Sequence, residues 1–130
     1  MSLRRLLPLL MLLSAAMFAA TVSNDWLQDI PAKDRARSNP FDSEHDAALA
    51  GGKLYQQHCS SCHGKEGEGV RKKPSINTER VRNASPGELQ WLLTNGSMKK
   101  GMPSWSRLPE PQRWQIITYL KSPERASQRK

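Results

Sequence analysis

The sequence predicts an all-α domain of three or more helices joined by long loops. Apolar residues recur at helical spacing in three segments, and no stretch shows the strict alternation of apolar and polar residues that indicates a strand. The length of 130 residues allows one small domain. Apolar residues make up only 37% of the chain, which favours a core completed by a metal, a cofactor or a disulfide. Two cysteines exclude a disulfide-rich scaffold.

The first predicted helix begins at Ser43–Asp46. A serine hydroxyl there can accept a hydrogen bond from an early helix amide, and acidic side chains suit the positive end of the helix dipole. Ala47, Gly51, Leu54 and Tyr55 then recur with the spacing of one helical face. This pattern predicts a helix that buries that face.

Two further helices are marked by their ends. Ser85–Glu88 has the form of a capping box with proline at the first helical position, and Asn95-Gly96 ends that helix. The last helix covers Pro109–Leu120, with its prolines confined to the first turn. The connections between the helices, Gly64–Asn83 and Ser97–Leu108, are too long to be ordered without a surface to pack on. A large flat apolar cofactor would supply that surface.

The N-terminus has the form of a secretory signal. Met1–Arg5 is a short basic start, and an apolar run of 15 residues follows at Leu6–Ala20. That run is shorter than the roughly 20 residues that span a bilayer. We expect a signal peptide over residues 1–23 that directs the rest of the chain to the periplasm. An uncleaved leader that anchors the chain to the membrane is the alternative.

The remaining chain divides by composition. Residues 24–42 form a polar connector that we expect to be flexible, residues 43–122 form the folded domain, and residues 123–130 form a basic C-terminal tail. Residues 24–68 carry eight acidic and five basic side chains, whereas residues 69–130 carry four and thirteen. The second half of the exported chain is therefore strongly basic.

The chemistry lies in Cys59-Ser60-Ser61-Cys62-His63. C-x-x-C-H is the attachment signature of c-type haem. Two thiols three residues apart can each form a thioether with a vinyl group on one porphyrin edge, and His63 then supplies an imidazole nitrogen to the iron. The motif predicts one covalently bound haem c per chain, held by Cys59 and Cys62, with His63 as the proximal ligand.

Other chemistry suits these residues less well. A closed zinc shell is geometrically poor because its candidate ligands His58, Cys59, Cys62 and His63 all lie within six residues. A thioredoxin-type redox pair needs a β-α-β setting, and no strand is predicted. A plain disulfide would not require His63.

Three segments resemble the class I cytochromes c, in particular the small exported bacterial type with one haem: Tyr55–Gly64, Gly101–Trp105 and Trp114–Leu120. The resemblance covers roughly residues 47–121 and implies the class I cytochrome c fold. In that family a glycine on the N-terminal helix and an aromatic residue four positions before the first cysteine pack against the C-terminal helix. Gly51 and Tyr55 match those positions, and Ile116 with Tyr119 matches the partner helix.

Met102 is the expected sixth ligand of the iron. Only Met98 and Met102 follow the predicted signal peptide, and both lie on an irregular stretch that could fold over the far face of the haem. Met102 precedes Pro103, which is the context in which the family commonly places this ligand. Met98 as the ligand, and Met102 as a gap-filling core residue, are the alternatives. His45 and His58 are weaker candidates for a bis-histidine site.

Pro74 lies eleven residues after His63. The family resemblance implies that its carbonyl accepts the second ring N–H of the proximal histidine, and a turn proline is the alternative. Trp105 is expected to line the haem pocket, because a large aromatic side chain packs well on a flat cofactor. The other tryptophans are expected in the pocket or core (Trp91, Trp114) and at the periphery (Trp26).

These residues predict a one-electron carrier and not an enzyme. With both axial positions filled by protein, the iron has no open site for a substrate or for O₂. The carrier would link a dehydrogenase or a quinol-oxidising complex to an oxidase. A gas-binding haem sensor and a dedicated electron-transfer subunit of a larger dehydrogenase are the alternatives.

The partners follow from the basic half of the chain. We expect a monomer whose basic residues around the haem attract redox proteins with acidic docking patches, although ordinary solubility charge would give the same composition. Nucleic acid is disfavoured because the chain is exported, and a basic surface also suits anionic lipid. The residues concerned are Arg71, Lys72, Lys73, Lys99, Lys100 and Arg107.

Overall fold

The computed structural model describes residues 26–123 and residue 125. All regular structure in this part of the chain is helical, which confirms the all-α prediction; the β-type pairing is limited to isolated bridges. Single 3₁₀ turns lie at Trp26–Asp29 and Met98–Lys100. The helices are α1 (Ala32–Arg35), α2 (His45–His58), α3 (Ser60–His63), α4 (Glu79–Asn83), α5 (Pro86–Asn95) and α6 (Glu110–Lys121).

The predicted signal peptide over residues 1–23 lies outside the described residues. Within the described ranges, none of the helices combines the length and the apolar character that a membrane span requires.

The packing of α2 against α6 is the main helix contact of the domain. Gly51 lies where the two helices cross, and a side chain there would collide with the backbone carbonyl of Gln115. Tyr55, which is 1% exposed, packs its ring against that of Tyr119 with 5.4 Å between the ring centroids. The close crossing expected of Gly51 and Tyr55 is therefore present.

The predicted helix ends are partly correct. Ser85 and Glu88 form the complete capping box at the start of α5, and Gly96 follows its last residue with φ of 68°. The expected cap at Ser43 is wrong, because Glu44 takes the N-cap position of α2 and Ser43 lies one residue earlier with φ of 62°. The amide of Glu44 donates to Phe41, so a turn precedes α2.

Residues 26–42, which we call the N-terminal strap, pack against the helices. Ile30 is 5% exposed and Asn39 is 7% exposed. The side-chain amide of Asn39 donates to the Thr118 hydroxyl (2.9 Å) and to the Trp114 carbonyl (3.2 Å), both on α6. The segment that the sequence analysis expected to be a flexible connector, residues 24–42, therefore contains buried residues and buried hydrogen bonds to α6 from residue 26 onward, although it is polar in composition.

The apolar core lies between α5 and α6 and extends towards the loops. Its buried members include Leu89 and Leu93 on α5 and Ile116 on α6. Those three side chains also line a cavity of about 580 Å³. The helices thus supply the floor of that cavity, and the two long loops supply its rim.

Candidate haem site

A cavity of about 580 Å³ lies between the C-x-x-C-H segment, the two long loops and the core helices. Its volume is typical of a site for a cofactor, and most of its lining is apolar. All six residues that the sequence analysis assigned to the haem site line it: Cys59, Cys62, His63, Pro74, Met102 and Trp105. The fold therefore brings together residues that lie up to 46 positions apart in the chain.

The two cysteines flank the short helix that leads to His63. Cys59 follows the last residue of α2, and Cys62 lies one helical turn further on, in α3. Both are free thiols. Burial, with the nearby Cys62, raises the pKa of Cys59 to about 11, so that this thiol is neutral at pH 7. The thioredoxin-type alternative needs a β-α-β setting, and the described residues around the two cysteines are helical, which disfavours it.

The imidazole of His63 is oriented by the loop that follows it. Its Nδ1 atom lies 2.8 Å from the carbonyl oxygen of Pro74. Because a carbonyl can only accept, Nδ1 must carry the proton of this bond, and the lone pair of Nε2 remains available to a metal. The contact that the resemblance implied for Pro74 is thus present.

Met102 lies at the edge of a tight turn. The turn Met98–Lys100 ends at Gly101, which has φ of 79°. Met102 is partly buried, packs against the apolar core and lines the cavity. Met98 is 72% exposed and is not part of the cavity lining. The geometry therefore favours Met102 over Met98 as a residue that can reach a cofactor.

Among the tryptophans whose side chains the structure describes, Trp105 is the one that lines the cavity. Its ring packs against that of His58, with 5.3 Å between centroids, and the guanidinium of Arg107 lies 4.7 Å from its centroid. Trp114 is buried in the core at 3% exposure, and Trp91 lies on α5. The side chain of Trp26 lies outside the described part of the chain.

Several cavity residues were missed by the sequence analysis. Thr78, Arg80 and Val81 line the cavity at the start of α4, a helix that was treated as part of a loop. Thr78 caps α4 by accepting from the amide of Val81, so a threonine before an acidic residue was the available signal. His58 also lines the cavity, whereas His45, at the start of α2, does not.

The cavity is also bordered by positive charge. Lys73 and Lys100 line it, and the loops that carry them meet, since a Cβ on Gly101 would lie 3.1 Å from the Lys73 ammonium nitrogen. The other four basic residues singled out in the sequence are exposed: Arg71, Lys72, Lys99 and Arg107.

The residues present fit a covalently bound haem. Two thiols three positions apart, a histidine with its metal-binding nitrogen available and a neutral thioether line one apolar cavity. This is the donor set of a c-type cytochrome. Residues Cys59 and Cys62 would hold the porphyrin, and His63 and Met102 would bind its iron.

Comparisons with known proteins agree with this chemistry. The family described as "Cytochrome C oxidase, cbb3-type, subunit III" matches residues 46–120. Cytochrome cL from the marine methylotrophic bacterium Methylophaga aminisulfidivorans MPT has a similar structure, with a TM-score of 0.55 and 23% sequence identity. The similarity covers 65% of this chain and 59% of that cytochrome, and at this identity it shows the fold alone. No curated protein matches the sequence. The chain therefore belongs to the class I c-type cytochromes, a family of haem c proteins that carry electrons.

Proposed function

We propose that this protein is a one-electron carrier that links redox proteins of the periplasm. It would accept electrons from a dehydrogenase or a quinol-oxidising complex and deliver them to an oxidase. The observation that carries the proposal is that His63 and Met102 line the same cavity as the attachment cysteines. If both residues bind the iron, no coordination position is left for a gas or a substrate, which favours electron transfer over ligand binding or catalysis.

The two proposed ligands have complementary effects on the iron. Haem c, when bound, supplies the one-electron chemistry. The bond from Nδ1 of His63 to Pro74 fixes the ring orientation and increases the basicity of Nε2. The thioether of Met102 is soft and neutral, so it favours the reduced iron and a higher reduction potential.

The charged rim supports a particular kind of partner. Lys73 and Lys100 at the cavity, with the exposed cations around them, would attract a redox protein that carries an acidic docking patch. Contacts of this kind are small and short-lived, which suits a monomeric carrier. The same positive surface suits contact with anionic lipid at the membrane.

Extraction and visible spectroscopy of the purified holoprotein test the proposal. We expect the haem to remain with the polypeptide after denaturation in acidified organic solvent, because Cys59 and Cys62 hold it covalently. The ferric form should show the methionine–iron charge-transfer band, and the ferrous form should not bind CO. Extractable haem would contradict the attachment, and CO binding would support the gas-binding alternative.

A second candidate is an electron-transfer subunit of a larger enzyme. The family that matches residues 46–120 is described as an oxidase subunit, which favours a role of this kind. Isolation of the native protein from its own cells, followed by haem staining, separates the two candidates. A mobile carrier should be recovered free of a stoichiometric partner, whereas a subunit should co-purify with its complex.

A further inference from the structure

Arg125 lies in the segment that composition assigns to a basic tail, yet it is 2% exposed. Its Nη2 donates to the side-chain oxygen of Asn77 (2.6 Å), and its Nη1 donates to the carbonyl of Leu120 at the end of α6 (3.2 Å). The guanidinium carbon lies 6.0 Å from the ring centroid of Tyr119. This basic residue of the predicted tail is therefore packed against the folded domain.

Asn77 is the point at which the loop after the C-x-x-C-H motif is tied together. Its side-chain amide donates to the carbonyl of Glu66 (3.0 Å), and its backbone amide donates to the hydroxyl of Ser75 (3.0 Å). The same hydroxyl donates to the carbonyl of Gly67 (3.0 Å). Arg125 therefore binds the residue that joins both sides of this loop.

The other end of the loop is held by α2. The hydroxyl of Tyr55, on the buried face of that helix, donates to the carbonyl of Gly64 (2.7 Å). Between the two anchor points lies Pro74, whose carbonyl lies 2.8 Å from Nδ1 of His63. Arg125 itself does not line the cavity, so it can act on a cofactor only through the groups it contacts, among them the loop, or through its charge.

We propose that Arg125 is a positioning residue for the iron ligand. By holding Asn77 against the end of α6, it keeps the Pro74 carbonyl at hydrogen-bond distance from the His63 imidazole. This inference rests on the proposed function, because it assumes that His63 binds the iron. Loss of the Arg125 contacts would loosen the loop and weaken the bond to Nδ1.

The direction in which the reduction potential changes when Arg125 is substituted separates this positioning role from a simple charge effect. A weaker bond to Nδ1 makes the imidazole a less basic ligand, so the ferric state loses stability and the reduction potential rises. Removal of a nearby positive charge acts in the opposite direction, because a cation disfavours the ferric state. Arg125→Lys keeps the charge but loses the guanidinium that donates to two acceptors at once, whereas Arg125→Gln loses both the charge and the guanidinium.

The test measures potential and amide exchange on the holoprotein. We expect Arg125→Lys to raise the midpoint potential, and Arg125→Gln to have a lower potential than Arg125→Lys, because the lost charge opposes the rise. Both variants should speed exchange of the Ile76 amide, which donates to Gly67, by about tenfold. Exchange in the centre of α6, at Ile117, should be unchanged. Lys53→Gln removes an exposed cation on α2 and is the matched control.

A double-mutant cycle with Asn77→Ala tests whether Arg125 acts on the His63 ligand through Asn77. The effect of Arg125→Lys on the potential should disappear in the Asn77→Ala background if it passes through that side chain. A lower potential in Arg125→Gln with no change in Arg125→Lys would overturn the proposal in favour of a charge effect. Equal acceleration of amide exchange at Ile76 and Ile117 would also overturn it, because the substitution would then destabilise the whole fold. If the NMR spectrum of the parent holoprotein shows no iron-bound His63, the proposed function fails instead.

Discussion

Met102 and Ser97 exchange two backbone hydrogen bonds, with N–O distances of 2.8 and 3.0 Å. This pair closes the turn Met98–Lys100 and fixes where the backbone of Met102 lies. Gly101 allows the closure because its φ of 79° falls in the left-handed region. The two methionines of the turn are thereby separated, with Met102 at the cavity and Met98 in solvent.

The first prediction concerns the identity of the sulfur ligand. Met102→Ala should open a coordination position, abolish the methionine–iron charge-transfer band, allow the ferrous protein to bind CO and lower the reduction potential. Met98→Ala should change none of these properties, since its side chain is 72% exposed. Visible spectra and potentiometric titration of both variants check this. Loss of the band in Met98→Ala alone would transfer the assignment to that residue.

The second prediction concerns the crossing of α2 and α6. Gly51→Ala should lower the free energy of unfolding by about 1–3 kcal/mol or more, because the new methyl group meets the backbone of Gln115. The neighbouring Gly52 is the matched control. The nearest atoms to a Cβ there belong to the Tyr119 ring, at 3.2 Å, so the overlap is much smaller than at Gly51, and alanine gains about 1 kcal/mol of helix propensity. Urea unfolding of both variants should show a clearly larger decrease in the free energy of unfolding for Gly51→Ala.

The third prediction concerns the N-terminal strap. Asn39→Ala removes the bonds to Trp114 and Thr118 and leaves a buried carbonyl with one partner fewer, so it should destabilise the fold by about 1–3 kcal/mol. Ser38→Ala, at the exposed neighbouring residue, should change stability by less than about 0.5 kcal/mol. Thermal unfolding of the two holoproteins makes the comparison. Equal melting temperatures would mean that the strap does not contribute to stability.

The features that the sequence predicted correctly depend either on local chemistry or on the family resemblance. The capping box of α5 needs only Ser85 and Glu88. The bond between His63 and Pro74 was expected from the family resemblance, which adds information about a loop that local patterns do not describe. The crossing at Gly51 was expected for the same reason.

The features that were missed depend on contacts between distant parts of the chain. Asn39 is 75 residues from Trp114, and Arg125 is 48 residues from Asn77. Both are polar residues in segments of polar composition, so nothing nearby in the sequence distinguishes them from solvated side chains. Their burial follows from the partners that the fold brings to them.

The fourth prediction concerns the charged rim of the cavity. If Lys73 and Lys100 raise the local positive potential, oxidation of the ferrous protein by an anionic complex such as ferricyanide should slow as salt increases. Oxidation by a cationic cobalt complex should accelerate. Lys73→Gln and Lys100→Gln should each reduce the salt dependence, whereas Lys33→Gln, on α1, should have a smaller effect. Stopped-flow rates that do not depend on salt would instead indicate that the charges serve solubility.

The last prediction concerns the acid side of the stability profile. The hydrogen bond from the Trp114 indole to Glu110, with the Arg37 guanidinium beside it, lowers the pKa of the Glu110 carboxyl. A carboxyl whose pKa is lower in the folded state stabilises the fold above its unfolded pKa of about 4.3, and this contribution is lost as pH falls through the folded value. Glu110→Gln should therefore be less stable than the parent protein near neutral pH.

The difference in the free energy of unfolding between the parent protein and Glu110→Gln should become smaller as the pH falls below about 4. The parent carboxyl then becomes protonated and neutral, like the glutamine side chain. Glutamine keeps an oxygen that can accept from the Trp114 indole, so the part of the difference that disappears at low pH reports the carboxylate charge that faces Arg37 and Arg113. Urea unfolding followed by circular dichroism at several pH values gives both curves. A difference in the free energy of unfolding that stays constant from neutral to acidic pH would show that Glu110 acts through packing and not through its charge.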